Sequence, residues 1–171
     1  MAEFIEAYQE VIKNEGLFSN DALDSGGRTV LGISEKNWPK WDGWKIVDTL
    51  SSPKEMATHS ELQKLVQSFY LQNFWNPIKG DSITSQKIAN SIFDFAVNAG
   101  VKTSVMLAQR TIGVKDDGII GKDTLSTLNS FGERLFIAEF KLAKIDRYCD
   151  IVDEKPSQLR FLKGWVRRAL R

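Results

Sequence analysis

The sequence predicts a mostly helical fold, all-α or α+β, in which a single domain spanning 1–171 carries a small β-hairpin or irregular lobe near residues 17–34. Three observations predict it. Apolar residues recur at helical spacing along most of the chain. That rhythm breaks between 17 and 34, where Asn20, Asp21, Gly26, Gly27 and Gly32 surround the β-prone run TVLGI. No Pro-rich linker, low-complexity tract or internal repeat divides the chain, and 171 residues with 42% hydrophobic and 26% charged composition suffice to bury a core.

The elements follow in order. Phe4, Ile5, Tyr8, Val11 and Ile12 define a first helix, Glu15 falls in its last turn, and Gly16 stands where a left-handed stop belongs. Ser52-Pro53-Lys54-Glu55 has capping-box spacing with Pro at the first helical position. Ser60 and Gln63 repeat that signal ahead of a stripe formed by Leu62, Leu65, Val66, Phe69, Tyr70 and Phe74. Spacing predicts further helices at about 86–98, 103–112, 122–130, 133–150 and 158–169. Within this pattern the chain divides into a first half, 1–85, and a helical second half, 86–171.

Twenty-three Lys plus Arg against twenty-two Asp plus Glu leave a net charge of +1, so no overall field points to nucleic acid or a membrane surface. Arg160, Lys163, Arg167, Arg168 and Arg171 do cluster at the C-terminus, either as a solvated helix face or as a contact for an anionic polymer. The lone Cys149 excludes an intramolecular disulfide and is expected to be a small buried hydrophobe. The N-terminus lacks the pattern of a secretory signal, and no run approaches the ~20 apolar residues of a membrane span. The expectation is synthesis in the cytoplasm without a signal peptide or membrane insertion.

The single histidine, His59, rules out a His-rich zinc site and makes a Ser-His-Asp device a poor fit, and no HExxH occurs. The segment KDDGIIGKDT has the wrong spacing for a phosphate loop and lacks the acidic pattern of a calcium loop. Carboxylate chemistry remains. A carboxylic acid can protonate a leaving oxygen near neutral pH if burial or negative potential raises its pKa. The last turn of a helix supplies such potential through its free carbonyls, so Glu15 is misplaced for stability and well placed for an acid. Asp24 follows in an irregular segment, as a second carboxylate or as an ordinary turn former. Thr29 could hold a water between the two, or could simply begin a strand.

The run EGLFSNDALDSGGRTVLGIS, with Glu15-Gly16, Asp24-x-Gly26-Gly27-x-Thr29 and Gly32-Ile33, resembles the N-terminal signature of glycoside hydrolase family 108. These are bacterial and phage N-acetylmuramidases, some labelled secretion activator proteins, and the Glu, Asp, Thr order also resembles phage-type lysozymes. Residues 92–128 are similar to the predicted peptidoglycan-binding segment that accompanies the family. The stretch FLKGWVRR, 161–168, resembles its closing Phe-x-x-Gly-Trp-x-x-Arg. One departure is visible: where members commonly carry Glu-Gly-Gly-Tyr, this chain has Glu15-Gly16-Leu17-Phe18.

The resemblance implies a lysozyme-like fold and cleavage of the β-1,4 bond between N-acetylmuramic acid and N-acetylglucosamine. Glu15, Asp24 and Thr29 would be the catalytic residues. It implies no metal or organic cofactor, a peptidoglycan glycan strand as partner, and action at the cell wall after export by a holin or a secretion system. A lytic transglycosylase on the same bond and a catalytically silent wall-binding or secretion-accessory protein are the rival readings.

Muramidases grip sugar rings with aromatic faces and polar edges. Trp38, Trp41 and Trp44 lie in a loop of mixed polarity. Tyr70 and Phe74 suit the core, and Trp75, before Asn76-Pro77, is the better candidate for a groove wall. Asp94 and Asn98, four apart on one helix, either line the cleft or hold neighbouring elements by hydrogen bonds. The turn Asp117-Gly118-Ile119-Ile120-Gly121 either touches glycan or completes the fold.

Overall fold

The computed structural model describes residues 1–15, 18–19 and 28–171, and the side chains of 1–13 and 28–171. Helices dominate the described residues, with one small antiparallel sheet, as the sequence predicts. Chain contacts group into two compact units, Glu3–Asn76 and Pro77–Arg171 with Met1–Ala2.

In the N-terminal unit, helix α1 (Phe4–Glu15) buries Ala7 and Val11. Three two-residue strands follow, β1 (Phe18–Ser19), β2 (Thr29–Val30) and β3 (Ile33–Ser34), paired in the order β1-β2-β3. The TVLGI run is thus a hairpin rather than one strand, with Val30 opposite Ile33 and Leu31-Gly32 at its tip. Both tip residues have positive φ, 49° and 80°, the left-handed pair that matches the twist of a two-residue hairpin. Gly32 adopts this freely, whereas at Leu31 it costs ~1 kcal/mol or more. Burial of the Leu31 side chain offsets that cost. The Tyr70 hydroxyl also donates to the Leu31 carbonyl at 2.9 Å.

Helix α2 (Gly43–Val47) was not legible in the sequence, because at five residues it has no periodicity to show. Helix α3 (Pro53–Thr58) begins as the capping signal predicts, with the Ser52 hydroxyl accepting from the Glu55 amide. Helix α4 (Ser60–Tyr70) departs from prediction at its start. His59 is the cap, its Nδ1 accepting from the Leu62 amide at 3.2 Å, and Gln63 reaches back to donate to the Met56 carbonyl. The capping signal was therefore read one residue late. Helix α4 runs on into a π turn, Leu71–Trp75, in which the Asn76 amide bonds the Leu71 carbonyl five residues back. Leu62, Val66, Phe69, Tyr70 and Trp75 are its buried residues.

The C-terminal unit is helical. Helices α5 (Gln86–Ala99), α6 (Val101–Thr111), α7 (Lys122–Ser130), α8 (Glu133–Glu154) and α9 (Leu159–Ala169) lie close to the predicted spans. Ser85 caps α5, accepting from the Ile88 amide at 3.2 Å and donating to Glu133 at 2.8 Å, which ties that end to α8. The core consists of Ile88, Ile92, Phe93, Phe95 and Ala96 against Val105, Ala108, Phe136 and Phe140. Each large apolar side chain fully buried there contributes roughly 1.5–3 kcal/mol. One expectation fails here: Cys149 is exposed, because it follows the buried Tyr148 by a single position and so turns off the packed face of α8. No helix among the described residues is long and apolar enough to cross a membrane.

Candidate functional site

Glu15 is the last residue of α1, so its position carries the negative end of the helix dipole. Helical register puts position 15 on the stripe that includes Val11 and Tyr8, four and seven residues earlier. Tyr8 on that stripe is desolvated enough for burial to push its hydroxyl up to about 12. Ser19, four positions after Glu15, pairs directly with Thr29 across β1 and β2. The sheet therefore returns Thr29 to the segment that leaves α1. Thr29 is half-buried, and its hydroxyl has no hydrogen-bond partner among the described residues. Asp24 lies outside the described residues.

The hairpin that carries Thr29 is fixed at both ends. At the tip, Tyr70 holds the Leu31 carbonyl, and Tyr8 packs on Tyr70 at 5.7 Å between ring centroids. At the base, Arg28 donates from Nε and Nη2 to the two Glu35 oxygens at 2.8 Å each, and from Nη1 to Asp48 at 2.7 Å. The guanidinium also lies 5.5 Å from the Trp44 ring. Sequence reasoning missed this cluster, because its members are 7 and 20 residues apart and belong to no motif. Arg28 holds the Glu35 carboxyl below the usual range by hydrogen bonding, which suits a structural anion and disqualifies Glu35 as a proton donor.

The aromatic candidates separate by burial. Trp75 is 0% exposed and packs on Phe4 at 5.8 Å, so it offers no ring face to a sugar, and the groove-wall assignment gives way to a core role. Tyr70 is core as expected. Trp38 is 38% exposed and meets Phe69 edge to face at 4.8 Å, with Trp41 on the same Phe69 at 6.0 Å.

In the C-terminal unit, Asp94 and Asn98 both face Arg168 of α9. Asp94 Oδ1 is 3.8 Å from Nη2, and the Asn98 amide oxygen accepts from Nε and Nη1 at 3.2 and 3.0 Å. Of the two readings open for these residues, this geometry supplies the structural one, with the closing Gly-Trp-x-x-Arg stretch locked to α5 through its arginine. The Tyr148 hydroxyl, 3.5 Å from the other end of the Asn98 amide, belongs to a stack in which Trp165 lies 5.3 Å from Tyr148. Lys144 is buried beside this cluster, over the Phe140 ring at 5.2 Å, and burial pulls its ammonium down to about 8 against the opposing pull of Asp94.

The Asp117-Gly118 turn lies at the surface and is held from beneath by a buried side chain. Gln109, 1% exposed, donates to Asp117, the Ile119 carbonyl and Thr124 at 3.0–3.2 Å and accepts from the Gly118 amide at 2.8 Å. Gly118 has φ 78°, and a Cβ there would stand 2.8 Å from Lys102. These bonds give Gln109 a structural role in closing the turn. Among the described residues, no three His, Cys, Asp or Glu side chains gather in a way that could hold a metal.

Comparisons with known proteins match both parts of the chain. Residues 103–170 match the model described as "Predicted Peptidoglycan domain". The chain is similar to SagA from Brucella abortus, whose solved structure superposes with a TM-score of 0.70 at 25% identity, over 98% of this chain and 90% of that one. No curated protein matches. Residues 8–100, more than half of the chain, match the glycosyl hydrolase 108 model, and the chain belongs to that family.

Proposed function

We propose that this chain is a peptidoglycan hydrolase, an N-acetylmuramidase that cleaves the β-1,4 bond between N-acetylmuramic acid and N-acetylglucosamine at the bacterial cell wall. The observation that carries the reading is the position of Glu15. It ends a helix, lies inside the family-matched segment, and precedes the strand that pairs with the Thr29 strand.

Glu15 acts as general acid. The negative end of the α1 dipole would disfavour its charged form and keep a proton available for the leaving oxygen. Asp24 supplies the second carboxylate, which stabilises the developing positive charge or activates water. Thr29, whose hydroxyl is free among the described residues, positions that water. The helical C-terminal unit accompanies the catalytic half as part of the same wall-acting enzyme.

The test is mass spectrometry of the soluble fragments released from purified peptidoglycan by the wild type and by Glu15→Gln. Wild type should release reducing N-acetylmuramic ends, and the variant should be slower by ~10²–10⁴-fold, the usual contribution of a positioned acid. Equal rates would remove Glu15 from the mechanism. Anhydro ends would replace hydrolysis by transglycosylation.

A further inference from the structure

We propose that the pocket between the Trp38–Trp41 turn and the end of α4 is a binding subsite for one N-acetylated pyranose of the glycan strand. This rests on the hydrolase reading above. The pocket lies wholly within the N-terminal unit and encloses about 370 Å³, within the ~300–1,000 Å³ range of small-ligand sites.

The pocket is built before any ligand arrives. The turn is held by three backbone bonds, Trp38 to Ser34 at 2.9 Å, Trp41 to Trp38 at 3.2 Å and Trp44 to Trp41 at 3.2 Å. The Trp44 indole adds a fourth, donating to the Trp38 carbonyl at 2.8 Å. Trp41 packs directly over Gly43, where a Cβ would collide with its ring, so this position requires glycine. Phe69, 6% exposed, forms the floor. Two rigid indoles above a buried ring are a low-entropy platform for the apolar face of a pyranose.

The polar groups complement an acetamido sugar. Unlike that of Trp44, the Trp38 and Trp41 indole N–H groups have no acceptor among the described residues, so each can donate to a hydroxyl or carbonyl. Asn73 uses its amide nitrogen on the Phe69 carbonyl at 2.8 Å. That bond fixes the side chain and leaves its oxygen to accept from an acetamido N–H. Asn37, exposed at the rim, has neither end engaged among the described residues. An aromatic face, indole donors and a fixed amide acceptor match the methyl, carbonyl and N–H of an N-acetyl group.

The experiment is a titration of the ¹⁵N-labelled full chain with tri-N-acetylchitotriose, following the indole N–H resonances of its five tryptophans. Trp38→Phe and Trp41→Phe assign the two signals. Saturable shifts confined to the Trp38–Trp44 group are expected, with Trp75 and Trp165 unmoved and serving as reporters of an intact fold. Trp38→Ala should weaken binding by about tenfold or more, as loss of a stacking face does, and Trp38→Phe should restore part of it. Shifts at Trp75 or Trp165 instead, an unchanged affinity in Trp38→Ala, or equal binding of cellotriose, which lacks acetamido groups, would overturn the assignment. The two readings fail separately. Wall digestion without Trp38-dependent binding removes the subsite and keeps the hydrolase. Trp38-dependent binding by a wild type that releases no sugar ends keeps the subsite and removes the hydrolase.

Discussion

The two compact units use their polar groups in opposite ways. In the C-terminal unit, Gln109 closes the Asp117-Gly118 turn and Arg168 engages Asp94 and Asn98. In the N-terminal unit, the Thr29 hydroxyl, the indole N–H groups of Trp38 and Trp41 and the Asn73 oxygen have no hydrogen-bond partners among the described residues. The backbone at Leu31 carries a left-handed strain that Tyr70 restrains. Clusters whose hydrogen bonds are met internally serve stability, whereas donors, acceptors and strain left in place are what a ligand site needs. The contrast is the reason for proposing binding and chemistry in the first unit, and it gives the Gln109 and Arg168 clusters of the second a structural role.

Four variants would break or sharpen that contrast. Glu15→Gln has the largest expected effect, a loss of ~10²–10⁴ in wall digestion with little change in melting temperature. A large fall in thermal stability would mean that Glu15 belongs to the fold. Gln109→Leu should do the reverse. It removes four hydrogen bonds, including those to the half-buried Gly118 amide and the buried Thr124 hydroxyl, at a cost of about 3 kcal/mol, or ~6–12 °C for a chain of this size. Lost activity at temperatures where this variant is still folded would give the second unit a direct part in the reaction.

Lys144→Met tests the buried cation. Burial lowers its pKa from 10.5 to about 8, so between those values the unfolded chain holds a proton that the folded chain lacks, and stability rises with pH. Below about 8 both states are charged and the full penalty, roughly 3 kcal/mol, is present. The variant should therefore melt higher near neutral pH and lose the upward slope between pH 8 and 10.5 in paired denaturation curves. An unchanged slope would show that Lys144 finds an anion in solution. Tyr70→Phe has the smallest effect on stability, ~1–2 kcal/mol for the orphaned Leu31 carbonyl. It loosens the Thr29 hairpin, so its fractional loss of activity should exceed its effect on melting. If the two readouts fell in proportion, the hairpin would be a scaffold only.

Much of the fold was legible because helices announce themselves locally. The stripe of Ile88, Ile92 and Phe93 and the Ser52 cap depend on neighbours three or four residues away. Where the reading slipped, a nearby competitor won. His59 took the cap expected of Ser60, since its imidazole reached the Leu62 amide, and Cys149 sits one position off the buried face. For the proposed site, Glu15 and Thr29 were chosen from spacing and resemblance, and the structure adds the pairing of Ser19 with Thr29. The Arg28–Glu35–Asp48 cluster was not, because ion pairing across 20 residues leaves no local pattern.

Periodicity and capping chemistry, written within a few residues, determined by themselves the helical character and the placing of Glu15 in a helix's last turn. Tertiary structure alone decided which tryptophans are buried and which are open, that Asp94 and Asn98 answer to Arg168, and that Trp38, Trp41, Phe69 and Asn73 enclose one pocket. The physical reason is range. Helix formation is governed by neighbours along the chain, whereas burial and hydrogen-bond satisfaction depend on residues that meet only once the chain has folded.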